Sequence, residues 1–133
     1  MKTLLLVAGG RGGSDFFQGL LDGHSQILSL PLYLRIDKEF FQMLALKDSK
    51  KLAENFIKLY PEFFDSRINK FERWDKLGKN KNLFFSVNKK KFVKDYIDFV
   101  KNKKMTEFDK IKFLHLAYSK AKGENTKKKK LLF

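Results

Sequence analysis

Residues 9–14 read Gly9-Gly10-Arg11-Gly12-Gly13-Ser14, and they are the part of this sequence best suited to chemistry. Four glycines leave the backbone free to turn several N–H groups toward one point. A helix opening at Ser14 would add the unpaired amides and the positive dipole end of its first turn. Arg11 supplies a guanidinium whose fork matches two oxygens of a phosphate or sulfate. The chemistry implied is the cradling of an oxyanion. Two familiar phosphate patterns do not fit. The stretch from Gly9 to Gly13 is one residue short of G-x-x-x-x-G-K-[ST], and no Lys precedes Ser14. The spacing G-x-G-x-x-G of dinucleotide sites is not met either.

Such a cradle needs a strand before it and a helix after it. Thr3 to Ala8 is a continuous apolar run bounded by glycine, which predicts a buried strand. Ser14 suits a helix cap, and Phe16, Phe17, Leu20 and Leu21 form the apolar stripe of the helix behind it. Asp22-Gly23-His24 ends that helix, with Gly23 suited to a left-handed cap. Gln26 to Leu30 predicts a second short strand, stopped by Pro31.

The remainder reads as helical. The spacing predicts helices over Leu34–Lys47, Lys50–Tyr60 and Ile68–Leu77, the second broken or kinked by Pro61. Leu83–Val87 is open between an extended segment and the start of a helix. Asn88 caps a helix running to about Asn102, with Phe92, Tyr96, Ile97, Phe99 and Val100 mostly inward. Thr106-Glu107-Phe108-Asp109 has capping-box form and opens a helix with Phe108, Ile111, Leu114 and Tyr118 inward, ended by Gly123. The fold class expected is α/β: a P-loop-like strand, glycine loop and helix, a short parallel sheet and a predominantly helical remainder in one domain over 1–133.

Composition narrows the function classes. The chain has 133 residues, 43% of them hydrophobic, enough for one core. It lacks cysteine, which excludes disulfides, thiolate metal sites and a cysteine nucleophile, and two histidines make a multi-histidine centre an unpromising reading. The apolar run near the N-terminus is too short for a secretory signal, and nothing approaches the ~20 residues of a bilayer span. A cytoplasmic protein is expected. Net charge is +14, and all of it lies in residues 67–133, which carry twenty-one basic and seven acidic side chains. Only four basic residues are arginine, and the abundant lysines read first as solvated surface. Runs such as Lys89-Lys90-Lys91 and Lys127 to Lys130 also suit steering of a polyanion. A basic nucleic-acid-binding module stays open, without a helix-turn-helix, RNP or zinc pattern to support it. A small P-loop kinase stays open too, without a Walker lysine.

From Leu6 to His24 the residues resemble the N-terminal signature of sulfotransferases that use 3'-phosphoadenosine 5'-phosphosulfate (PAPS). The family's loop typically reads Lys/Arg-Ser-Gly-Ser/Thr-Ser/Thr and often continues Leu-Leu-Asp-x-His-Pro. Arg11, Gly13, Ser14 and the run Leu20-Leu21-Asp22-Gly23-His24 match; Gly12 and Asp15 replace hydroxyl residues, and Ser25 stands where proline is common. The resemblance implies that Arg11, Gly12, Gly13, Ser14, Asp15 and Phe16 hold the 5'-phosphosulfate. It also implies that Arg11 neutralises charge as a sulfuryl group passes to an acceptor hydroxyl or amine. His24 is a further catalytic candidate whose ordinary role is capping or packing. The family's general base, Glu or His, has no match in Leu28–Tyr33. The Arg/Ser pair that grips the 3'-phosphate follows a later central strand in the family. Here Lys127 to Phe133, basic then apolar, looks like the start of that strand, so the chain is expected to be a truncated N-terminal portion. A frayed basic tail is the alternative.

Overall fold

The computed structural model describes residues 2–3, 14–21, 24–31, 34–68, 79–80, 82–129 and 131–132. Along them run β1 (Lys2–Thr3), α1 (Ser14–Leu21), β2 (Ile27–Leu28), α2 (Lys38–Leu44), α3 (Ser49–Leu59), α4 (Lys89–Val100), α5 (Glu107–Lys122) and β3 (Leu131–Leu132). Short 3-10 turns cover Pro61–Phe63 and Thr126–Lys128.

Local chemistry starts the four helices of the body. The side chains of Asp37 and Asp48 accept from the N–H groups of Phe40 and Lys51, each at 3.0 Å, and Asn88 accepts from Lys91 N–H at 2.9 Å. Thr106 Oγ1 accepts from Asp109 N–H while Asp109 answers Thr106 N–H, a complete capping box. Each such cap is worth about 1 kcal/mol. Gly123 closes α5 at φ +94°, a conformation that disfavours a side chain. Lys110 on α5 satisfies carbonyls at the end of α2, reaching Leu44 O and, at 3.2 Å, Leu46 O.

The core is aromatic and lies among α2–α5. Phe56 is fully buried, with its ring centroid 5.0 Å from Tyr60, 5.6 Å from Phe92, 6.0 Å from Phe63 and 6.3 Å from Phe64. Two of its tyrosines find backbone acceptors. Tyr118 Oη donates to Phe63 O at 2.6 Å, and Tyr60 Oη donates to Arg35 O at 2.8 Å. Burial pushes the Tyr60 phenol up to about 12. Outside this core, Arg67 grips Asp65 at 2.7 Å and lies 4.2 Å over the Phe84 ring. Asp65 is held at about 2, chiefly by that hydrogen bond.

Among the described residues one carboxylate is buried. Asp95 is 5% exposed and takes Lys91 Nζ on one oxygen and Lys120 Nζ on the other, both at 2.7 Å. Burial raises the Asp95 carboxyl, but the Lys120 and Lys91 hydrogen bonds outweigh it and hold the group below its ordinary value. The pair joins α4 to α5. Replacing both lysines with methionine would strand a buried carboxylate. Because both ammonium groups are nearly half exposed, the expected loss is about 2 kcal/mol at pH 7. A lowered folded pKa stabilises above the unfolded value of about 3.9, and that contribution is lost as pH falls through the folded one. Urea melts of Lys91→Met/Lys120→Met against wild type should therefore converge below pH 4, and equal stability at pH 7 would contradict the cluster's role.

The strands form a three-stranded parallel sheet of order β1-β3-β2, with Lys2 opposite Leu131 opposite Ile27. Each is only two residues long, so the described protein is mostly helical. The expected strand from Thr3 to Ala8 is described only at its first residue; the rest, the glycine loop and all but the first residue of the helix expected over Ile68–Leu77 lie outside the described residues. Leu83–Val87 resolves as extended, with Ser86 bridged to Asp65. The helix expected over Leu34–Lys47 is shorter, because Asp37 caps it late.

Two expected inner faces are corrected. Phe16 and Leu20 on α1 are 75% and 61% exposed, and Phe108 in the first turn of α5 is exposed as well. The core closes with aromatics from α2–α5, and the apolar stripe of α1 takes no place in that buried cluster. Phe108 belongs to the capped turn, ahead of the residues of α5 that meet the core from Ile111 onward.

Candidate functional site

α1 begins with Ser14 as its first helical residue, one position earlier than a helix that Ser14 itself caps, and in the sequence it follows the glycine-rich run. Arg11, Gly12 and Gly13 lie outside the described residues. Ser14 and Asp15 occupy the first turn of α1, and Phe16 projects into solvent beside them. The first turn of a helix carries amides and a positive dipole end that suit an anion. Asp15 places an acidic residue in that same turn, which favours the helix and opposes the anion.

His24 sits in the turn between α1 and β2. Its N–H donates to Leu21 O at 3.2 Å, and its carbonyl accepts from Ile27 N–H at 3.3 Å. Its Nδ1 accepts from Gln26 N–H at 3.1 Å. A neutral ring so engaged carries its proton on Nε2, presenting a donor there and not the lone pair a general base needs. The ring works as a turn acceptor in this arrangement. After β2 the chain continues through Ser29 and Leu30, both buried, to Pro31.

Lys129 also reaches this turn. Its Nζ donates to His24 O at 2.7 Å and Ile27 O at 2.9 Å. Sequence reasoning missed it, because within Lys127 to Lys130 nothing distinguishes one lysine from its neighbours. The only usable signal was the Leu131-Leu132 pair behind it, which suits a strand.

Among the described residues no group of three or more His, Asp or Glu side chains is placed to hold a metal ion. None of their helices is long and apolar enough to cross a membrane. No family model, curated protein or solved structure matches the chain.

Proposed function

We propose that the protein is a sulfotransferase-like α/β domain whose Gly9–Ser14 segment binds the 5'-phosphosulfate end of PAPS. The single observation that supports this is the start of α1 at Ser14, directly behind Gly-Gly-Arg-Gly-Gly and following a strand paired in parallel. In this reading Arg11 binds the anion's oxygens, the Gly12 to Phe16 amides orient it, and Ser14 adds a hydroxyl donor. Bound PAPS would supply an activated sulfuryl group for an acceptor hydroxyl or amine. Both lysine runs would raise the local concentration of so anionic a ligand.

A thermal-shift titration with adenosine 3',5'-bisphosphate and with PAPS tests the reading. At ligand a hundredfold above its Kd, about 2.7 kcal/mol of stabilisation should raise the wild-type Tm by roughly 10 °C. Arg11→Ala should lose most of that shift, since a charge-assisted hydrogen bond is worth about 1.5–3 kcal/mol. No shift in either protein would sink the proposal. Salt-sensitive binding of nucleic acid with no response to either nucleotide would favour the basic-module reading instead.

A further inference from the structure

α4 carries a row of charge that the fold does not use. At about 3.6 residues per turn, Lys90, Lys94 and the C-cap residue Lys101 fall within about 40° of one another around the helix axis and span about 16 Å along it. Phe92, Tyr96 and Val100 lie on the opposite side, buried in the core. All three lysines are exposed, and none takes a carboxylate partner among the described residues. Their neighbours, by contrast, serve the fold. Lys91 and Lys120 hold Asp95, and Lys103 donates to Phe99 O at 2.6 Å and lies 4.5 Å from the centre of the Phe113 ring. Of the two carboxylates on α4, Asp95 is turned inward and matched there, and Asp98 stands at the edge of the row.

The row works against the helix that bears it. α2 and α5 have acidic residues in their first turns, whereas α4 begins Lys89-Lys90-Lys91 at the positive end of its dipole. Lys90 and Lys94 are like charges at i, i+4, a destabilising pair. A local rule broken with no gain in packing marks a surface shaped by something outside the fold. A polyanion laid along the row relieves both repulsions. The row also discriminates among polyanions. Protein interfaces are built on buried aromatic and arginine anchors and are depleted in lysine, and here only half-buried Ile97 lies among the lysines. A bilayer surface needs an apolar face beside the basic one, and α4 has turned its apolar face into the core. A phosphate backbone needs neither. One strand of duplex DNA presents a charge every ~3.4 Å of axis, so about five phosphates run the length of the row.

We infer that the outer face of α4 binds the phosphate backbone of a nucleic acid through Lys90, Lys94 and Lys101. Binding is independent of base sequence. Reading base edges favours the arginine fork, and the two described arginines are occupied, Arg35 by Leu59 O and Arg67 by Asp65. This surface lies apart in sequence from residues 9–14 and acts independently of what they hold.

Fluorescence anisotropy of the full chain with labelled DNA duplexes of about 20 base pairs, in about 50 to 200 mM salt, tests this. Two duplexes of unrelated sequence should bind equally, with a slope of log K on log salt of about −3. Lys90→Gln/Lys94→Gln should weaken binding at least about tenfold and make that slope shallower by about 2. Its thermal midpoint should hold or rise, because a like-charge pair is gone. Lys38→Gln/Lys58→Gln removes the same charge from exposed positions on α2 and α3, and should bind within about twofold of wild type. Equal losses in the two variants would reduce the binding to net charge and overturn the assignment to α4, as would a wild type that binds neither duplex. A lower thermal midpoint in Lys90→Gln/Lys94→Gln would overturn it too, by showing that the pair serves the fold. Polyglutamate competing as well as DNA, charge for charge, would replace the nucleic acid with an acidic protein.

Discussion

Phe56→Ala is expected to cost about 4 kcal/mol, the largest effect of any single truncation proposed for this protein. The side chain is fully buried and its ring meets four other aromatic rings contributed by the Tyr60–Phe64 corner and α4. Removing it forfeits the transfer of a phenyl ring from water and leaves a hole lined by rigid rings that cannot collapse far. Against a total stability of roughly 5–15 kcal/mol for a domain, this is a large fraction. The thermal midpoint should fall by about 10–15 °C, and the urea midpoint should fall with little change in m. Phe56→Leu, which keeps most of the volume, should cost about 1.5 kcal/mol. Phe41→Ala, on the exposed side of α2, should stay within about 0.5 kcal/mol of wild type. A loss below 1 kcal/mol for Phe56→Ala would show that the ring cluster is not where the stability resides.

Acidification should weaken the fold well before its carboxylates titrate. His115 on α5 is 7% exposed, and its Nδ1 has no hydrogen-bond partner among the described residues. Burial lowers its pKa from an ordinary 6.5 to about 4. Between those values the unfolded chain takes up a proton that the folded protein refuses, so stability drops as pH falls. The slope is at most about 1.4 kcal/mol per pH unit, and the total is on the order of 3 kcal/mol by pH 4. Above pH 6.5 the effect is absent. Urea melts from pH 7.5 to 4 should show this loss in wild type and a flatter profile in His115→Leu. At pH 7 the leucine variant should be at least as stable, since it removes a buried polar atom that is left unpaired. Parallel profiles for the two proteins between pH 6.5 and 4 would refute the assignment. The depressed carboxylates Asp65, Asp95 and Asp109 act below this window.

The parts of the fold that were legible in the sequence are those decided within about four residues. Asn88 and the Thr106–Asp109 box were readable as helix starts because a cap bonds to the third residue after it. Gly123 was readable as a stop for the same local reason. What joins distant elements was not legible. Lys120 is one lysine among many until α5 lies against α4 and Asp95 is buried between them. Lys110 is equally anonymous until α2 ends beside it. The stripe on α1 misled because helical spacing shows which residues share a face, not whether anything covers that face. For the candidate site, glycine, arginine and serine types carried the reading at residues 9–14, of which Ser14 alone is among the described residues. Lys129 became visible only through two carbonyls on the far side of the sequence.

The strand order also sets a timetable for synthesis. Residues 2–3 and 27–28 leave the ribosome without the segment that lies between them, which follows only after α2–α5 have been made. Helical hairpins such as α4 with α5 close through contacts near in sequence, and they form fast. The parallel seam must wait for its middle member and then pay for closing a loop of more than 100 residues. Until that moment two strand edges stand open to other nascent chains, which makes the seam the late and aggregation-exposed step of folding.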